Sequence, residues 1–409
     1  MDRQAQAWVS TVVGDWMDPK VYLCIDNCFA SKRWTRPKEW LTLIRDLGLR
    51  YAEASADTEC DPLYMDPGFT ADWVADVKHW GAELGVAVKN IYSGHGTYVT
   101  SGLAHYDRRV SLRFRDEWVL PQMRTAKELG AGMGFFVHGF EDLLLQDHSS
   151  YTDKLHAFCA DLAQIAVHAR DLGLPYVGVE QMYSPHQPPW TIEGTRQLLL
   201  ETNRSGAPFY IALDLGHMNG QRNFAKPEAV FLREKISQRR AGEPVRGLWL
   251  GSRKAHELFE SAISDGRNAG EAVKAILHDV ESNPHLFANP RDWNVMEWVR
   301  TLGRYSPIVH LQQSDGVSSS HWPFSRAYNQ KGIIKAEQVL RALADSFAQE
   351  AVPGMPPACG EVALTFEPFI STAGNVYDFL DDLRESVAYW RRYVPEDGMR
   401  LSAAVEGLG

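Results

Sequence analysis

The sequence predicts a single (β/α)8 TIM barrel, an α/β fold, with a long insertion between its sixth and seventh strands. Three observations carry this expectation. Eight short apolar runs recur along the 409 residues. Stretches with helical spacing of apolar residues separate them. Polar residues able to do chemistry stand at the downstream end of each run, where such a barrel keeps its working face.

The runs are residues 21–25, 51–54, 86–91, 134–137, 176–179, 210–213, 308–311 and 362–366. They are rich in β-branched and aromatic side chains and mostly do not alternate with polar ones, as expected of parallel strands covered on both faces. In residues 36–47, Trp40, Leu43, Ile44 and Leu47 share one helical face. Residues 71–84, 110–129, 153–172 and 376–393 repeat that spacing. Gly48, Gly85, Gly130 and Gly173 follow helix ends, where a left-handed cap favours glycine. An open doubly wound sheet is the rival architecture, but no glycine-rich phosphate loop follows the first run. Residues 221–291 break the rhythm. They are charged and helix-prone, and they leave the C-terminal end of a strand, so a lid or an oligomer contact is expected there. The whole chain, residues 1–409, reads as one catalytic domain that contains this insertion.

Composition narrows the partners. Hydrophobic residues make up 44% of the chain, enough for a sizeable core. The net charge of -10 repels phosphate backbones and anionic lipid, so nucleic acid is not an expected partner. No stretch approaches the roughly 20 apolar residues that cross a bilayer, and residues 1–10 lack the apolar core of a signal peptide. The cysteines are five, scattered, and unlike a disulfide framework, which suggests reduced thiols in a cytoplasm. Cys24 and Cys28 have no third cysteine at a useful spacing, and Cys24 reads as a small apolar strand residue.

The strand ends carry the chemistry. Asp26 and Asn27 close the first run, and Glu53 lies in the second. Tyr92 and His95 follow the third, His138 the fourth, and Glu180 the fifth. Asp214 and His217 follow the sixth, His310, Gln312 and Asp315 the seventh, and Glu367 the eighth. Any one buried acid reads equally well as a helix cap or a structural ion pair. Together, Glu180, Asp214 and Glu367 would repel one another unless a cation lay between them. Carboxylates with an amide or imidazole suit Mn2+ above all, and also Mg2+, Co2+ or Zn2+. The absence of thiolates speaks against a closed structural zinc site.

These motifs resemble a known family. The run Leu213-Asp214-Leu215-Gly216-His217-Met218-Asn219 resembles the sixth-strand motif of the D-tagatose and D-allulose (psicose) 3-epimerases. Glu367-Pro368-Phe369 resembles their eighth-strand motif, and Gly178-Val179-Glu180 their fifth-strand segment. On the seventh strand the family has a second histidine two residues beyond a first; here His310 and Gln312 hold those places. Hydroxypyruvate isomerases, in the same xylose-isomerase-like superfamily, use glutamine as that ligand. The resemblance therefore implies Glu180, Asp214, Gln312 and Glu367 as metal ligands, with His310 the alternative fourth. It implies Glu180 and Glu367 as the proton-moving pair and His217 as a substrate contact. It spans residues 21–393, with sharp motifs only in the last four strands, and superfamily habit adds a homo-oligomer.

Two departures bear on the substrate. Ser318 stands where the epimerases have an arginine, and His186 where they have a glutamate. Both family groups hold hydroxyls of a free ketose, so a phosphorylated sugar comes into view. His186, Ser318, Ser319, Ser320 and His321 would supply donors to it, or form an ordinary polar loop. Glu53, His95 and His138 are expected to line the pocket, with Trp190 and Trp322 over an apolar sugar face. The expected activity is isomerisation or epimerisation of a ketose or ketose phosphate through a cis-enediolate. The same barrel also hosts inosose-type dehydratases and an apurinic-site endonuclease. The latter's phosphodiesterase chemistry needs more strand-end histidines than this chain places.

Overall fold

Alternate residues of each apolar run serve two different interiors. In β8 (Glu361–Phe366), Val362, Leu364 and Phe366 join the main apolar core. Ala363 instead packs inside the barrel with Tyr22 and Cys24 of β1 (Lys20–Asp26) and with Tyr51. Outward residues are mostly apolar because helices cover them. Inward ones are free to be polar, since the barrel interior is also a place where polar groups can satisfy each other.

The computed structural model describes residues 18–93, 101–137, 139–264 and 268–408. Between β1 and β8 run β2 (Tyr51–Ser55), β3 (Ala87–Ser93), β4 (Gly132–Phe135), β5 (Val177–Glu180), β6 (Tyr210–Asp214) and β7 (Ile308–Leu311). Each pairs in parallel with the next, and β1 pairs with both β2 and β8, which closes an eight-stranded TIM barrel. A short β9 (Met399–Arg400) runs antiparallel to the start of β1.

Helices Pro37–Asp46, Pro67–Leu84, Leu120–Leu129, His148–Leu172, Ile192–Thr202, Val295–Leu302, Ala336–Phe347 and Val376–Arg391 follow β1 to β8 in turn. Asp66 caps Pro67–Leu84 by accepting from Gly68 and Phe69 N–H, and Gly85 ends it at φ 69°. Gly48, Gly130 and Gly173 also take the left-handed conformation expected of them. The expected single helix over 110–129 is broken. Arg108–Phe114 leads into a π turn, Arg115–Val119, before Leu120–Leu129. Pro121 explains this: it has no N–H to donate, and its ring crowds the carbonyl four residues back. Leu120 N–H reaches Arg115 O instead, widening the turn.

The chain between β6 and β7 is helical. Helices Ala229–Arg240, Arg253–Ser264 and Ala269–Ser282 pack mainly on one another. They are tied to loops that follow β4 and β5. Phe224 lies edge-on to Trp190 and Trp249, with ring centroids 5.7 and 5.1 Å away. Arg253 pairs with Asp142, and the His285 ring lies 4.5 Å from that of Tyr151. All five cysteines are free thiols, and Cys24 is buried in the barrel interior as expected. Among the described residues no helix is long and apolar enough to cross a membrane.

Phe366, the residue before Glu367, rests on the indole of Trp390 at 6.4 Å, and Phe324 packs edge-on to the same indole at 5.4 Å. Trp390 is fully buried. Trp390→Ala is expected to cost about 3–5 kcal/mol in chemical denaturation, as large aromatic truncations in a close-packed core do.

Candidate active site

The carboxylates converge at the C-terminal mouth of the barrel. β5 ends at Glu180 and β6 at Asp214, while Glu367 follows β8 directly. All three are buried. Glu180, Asp214, His310 and Glu367 each offer a ligand atom, and these atoms lie within 4.8 Å of one another.

His310 lies beneath them, fully buried on the inward face of β7. Its Nδ1 is 2.7 Å from Glu180 Oε1 and 3.4 Å from Glu367 Oε2. Its Nε2 is 2.8 Å from Glu53 Oε1. Burial alone would lower its pKa. The carboxylates of Glu367, Glu53 and Glu180 outweigh burial and hold it well above the ordinary imidazole value. Both ring nitrogens therefore carry protons and donate. Glu53 is thus one layer below the mouth, its other oxygen accepting from Asn90 Nδ2 at 3.0 Å. The Tyr92 hydroxyl donates to Glu180 Oε2, and its ring stands edge-on to His310 at 4.8 Å. Both Glu180 oxygens are therefore engaged by donors.

Glu367 is different. Burial raises its pKa well above the usual carboxylate range, and although His310 opposes this, the Glu180 and Asp214 charges add to it. Its Oε2 is buried and accepts no hydrogen bond.

Asp214 doubles as a cap. Its Oδ1 accepts from Gly216 N–H at 2.6 Å and His217 N–H at 2.9 Å, which starts the 3-10 turn His217–Phe224. The Gln312 amide nitrogen donates to Oδ1 at 2.7 Å and Oδ2 at 2.9 Å. Burial would raise the Asp214 pKa, but the His217, His321 and His310 imidazoles and the Gln312 amide hold it below the ordinary range. Burial takes His321 down to about 4, so at neutral pH that ring is uncharged. Gln312 Oε1 accepts from His321 N–H at 2.7 Å.

Gly216 keeps this arrangement open, because a Cβ there would overlap the Gln312 amide. Its φ of -97° suits any residue, so the constraint is steric. Gly216→Ala should displace Gln312 from Asp214. We expect divalent-metal affinity to fall about 10- to 100-fold, as for losses of ligand-orienting partners, read by calorimetric titration with Mn2+.

Oxygen-rich donors of like charge, with a buried carboxylate oxygen lacking any hydrogen bond, fit a hard divalent cation. A second group, Asp214, His217 and His321, also offers ligand atoms within 4.8 Å of one another. His217 is anchored through Nδ1 to Gln181 O at 2.9 Å, and His321 through Nδ1 to Glu367 O at 2.9 Å.

Other expected site residues sit further out. His186 is half-buried on the rim, its Nδ1 3.0 Å from Phe140 O. Ser318 is exposed in the loop after β7, its hydroxyl 3.3 Å from that of Ser320. Ser319 donates to Gln312 Oε1 at 3.3 Å. His95 and His138 lie outside the described residues. Trp190 is buried against Phe224, and Trp322 packs on Tyr328 at 5.2 Å with Lys331 over its ring, so both have packing partners. Tyr92 and Asn90 support the site from below. Their signal was indirect: Gly134, beside Tyr92 on β4, leaves the space that the ring fills, since a Cβ there would stand 3.1 Å from it.

No protein-family model matches the chain. Its sequence is 30% identical over 155 residues to D-erythrulose 1-phosphate 3-epimerase of Brucella abortus (strain 2308), covering 34% of this chain and 47% of that protein. The chain thus spans about half the length of the curated relative it matches. Among solved structures, a candidate xylose isomerase from Rhodospirillum rubrum ATCC 11170 superposes with a TM-score of 0.62 at 16% identity, covering 91% of this chain and 98% of that one. A D-psicose 3-epimerase gives 0.51 at 13% identity, with coverages of 91% and 98%. An L-ribulose 3-epimerase gives 0.50 at 15%, with coverages of 94% and 95%. The fold is therefore that of the xylose-isomerase-like TIM barrels. Its neighbours include sugar 3-epimerases, and its partial sequence relative is a ketose-phosphate 3-epimerase.

Proposed function

We propose that this chain is a divalent-metal-dependent epimerase or isomerase of a ketose or ketose phosphate. The observation that carries the reading is the convergence of Glu180 and Glu367 on one centre with Asp214, all three buried at the C-terminal mouth of the barrel. The name of the partial relative, an erythrulose-phosphate epimerase, supports the substrate class.

Glu180, Asp214, Gln312 and Glu367 would hold the ion, Mn2+ by the chemistry of the donors, with Mg2+, Co2+ or Zn2+ also suited. His310 is the alternative fourth ligand, but both its ring nitrogens are committed to carboxylates. When bound, the ion would supply Lewis-acid polarisation of a carbonyl and its neighbouring hydroxyl. The protein's own groups then move the proton. One of Glu180 and Glu367 takes a hydrogen from the carbon beside the carbonyl, giving a planar enediolate. The other returns a proton, to the opposite face in an epimerase or to the adjacent carbon in an isomerase. Tyr92 and His310 fix the orientation of Glu180 by engaging both its oxygens. Glu367 Oε2, without a hydrogen bond, is open to receive a proton. His217 and His321 face the same centre and would hold substrate oxygens in place. Ser318, Ser319 and Ser320, with His186, put hydroxyl and imidazole groups on the rim, where a phosphate would extend.

The test is product identity. Metal-stripped protein with added Mn2+ is incubated with four- to six-carbon ketoses and their phosphates, about a dozen compounds in all, and products are resolved by NMR. Interconversion of C3 epimers or of carbonyl isomers, abolished by EDTA and restored by Mn2+, is expected. Conversion only to products lighter by one water would replace this reading with a dehydratase.

A further inference from the structure

We propose that His148 and His285 form an acid-labile clasp that holds the helical insertion against the loop after β4. The inference concerns the insertion alone and stands independently of what the barrel mouth binds.

The argument starts from where the protons sit. His285 lies in the short 3-10 turn Pro284–Leu286, just after the insertion helix Ala269–Ser282. Its Nε2 is 2.9 Å from Leu145 O in the loop after β4. A backbone carbonyl only accepts, so Nε2 carries a proton, and in the neutral ring Nδ1 keeps its lone pair. That lone pair faces His148 Nδ1 at 2.9 Å, so His148 donates to it. His148 is exposed at the first residue of helix His148–Leu172. The pair can hold one proton between the two Nδ1 atoms but not one on each. A second proton sets two N–H groups against each other at hydrogen-bond distance. It also puts like charges in rings whose centroids are 4.8 Å apart.

The surroundings oppose a charge on His285. The ring is half-buried and lies on that of Tyr151, 4.5 Å away. Burial pulls its pKa below the ordinary imidazole value. The bond to Leu145 O works against this, His148 lowers the value further, and Asp147 raises it. Asp147 is engaged as a helix cap, its oxygens accepting from Ser149 and Ser150 N–H at 3.3 and 3.1 Å. On the insertion side, Arg253 is paired with Asp142, and Lys254 with Asp279 at 3.1 Å. The sign follows. With the folded pKa below the unfolded one, the clasp is complete above about pH 6.5 and is lost as pH falls from there through the folded value.

The clasp joins two stretches of chain that reach the rim. On one side, Leu286 O accepts from Trp249 Nε1 at 2.8 Å, and Ala288 N–H donates to Phe224 O at 2.9 Å. Phe224 is the ring that packs on Trp190 after β5. On the other side, Phe140 N–H donates to His186 O, and His186 Nδ1 lies 3.0 Å from Phe140 O. Arg253 N–H also crosses the seam to Gln146 Oε1 at 2.7 Å, a bond with no imidazole in it. Acid therefore loosens the seam at its histidine end rather than detaching the insertion.

The experiment is hydrogen exchange of the full chain, read by mass spectrometry on peptides covering residues 140–150 and 283–289. Rates are divided by the intrinsic rate at each pH. Between pH 7.5 and 5.0, protection of these peptides is expected to fall about tenfold, the change that one proton gives per pH unit, while peptides of β1 and β8 hold theirs. His285→Asn keeps an acceptor for His148 and takes up no proton, so its protection, lower throughout, should stay level across the range. Should that variant fail to fold, His148→Ala, at an exposed position, removes the opposing charge and should shrink the fall by about threefold or more. No fall in the wild type, an equal fall in the folded variant, or a loss shared with β1 and β8 overturns the clasp.

Discussion

Glu367→Gln is expected to lower turnover by about a thousand-fold, within the range that positioned acid–base groups contribute. The amide keeps the shape of the carboxyl but neither accepts nor returns a proton. Glu367 Oε2 makes no hydrogen bond in the structure, so the substitution breaks none at that atom and removes only its longer ion pair with His310, 3.4 Å away. Denaturation midpoints should accordingly stay close to wild type while kcat collapses. Glu180→Gln should lose turnover to a similar degree, with an added cost to stability. Its Oε1 accepts from His310 and its Oε2 from Tyr92, so an amide NH2 must face at least one donor. Steady-state kinetics beside urea denaturation separates the two cases. Near-normal kcat in either variant would remove the two-glutamate mechanism.

The second large effect concerns His310. In metal-stripped protein, His310→Leu is expected to destabilise the fold by about 3–5 kcal/mol, the range for removing one partner of a buried ion pair. Glu53 is fully buried and would keep only the Asn90 amide as donor. Adding Glu53→Gln should return part of the loss, because the stranded charge is then gone. The pH dependence has a definite sign. The folded pKa of His310 is raised, so its stabilisation is complete below the unfolded value of about 6.5 and is lost as pH rises through the folded value. The gap between wild type and His310→Leu should therefore narrow from about pH 6.5 upward, as read by urea unfolding across that range.

The fold was legible because outward strand residues must be apolar. Val21, Leu23 and Ile25, or Val362, Leu364 and Phe366, announce a strand whatever lies between them. The fourth strand was placed two residues late, at 134–137 rather than Gly132–Phe135. Gly132, Met133 and Gly134 carry no β-branched signal, since the glycines are there to admit the Tyr176 and Tyr92 rings. The antiparallel β9 is two residues long and leaves no periodicity to read. The π turn at Arg115–Val119 turned on one residue, Pro121, inside an otherwise helical pattern.

At the site, sequence position marked the strand ends but not depth along the barrel axis. Glu53 and Glu367 both read as inward acids. Only closure of the barrel shows that His310 stands between the level of Glu53 and the mouth where Glu367 lies. Tyr92 was seen as a strand-end residue, but its bond to Glu180 crosses 88 residues of sequence and no spacing rule reports it. Trp190 and Trp322 followed the habit of aromatic rings near sugars. Their packing against Phe224 and Tyr328 depends on the helical segment after β6 and the loop after β7, whose course no local pattern discloses.

The central claim is that Glu180 and Glu367 exchange a proton with the carbon beside a carbonyl. The most direct measurement is solvent exchange: wild-type protein with Mn2+ and a ketose phosphate in D2O, followed by NMR. Deuterium appearing at that carbon, absent in Glu367→Gln and after EDTA, is the predicted result. Turnover that leaves the carbon-bound hydrogen unexchanged through many cycles would contradict the account, because the hydrogen would then pass without ever resting on a carboxylate open to solvent.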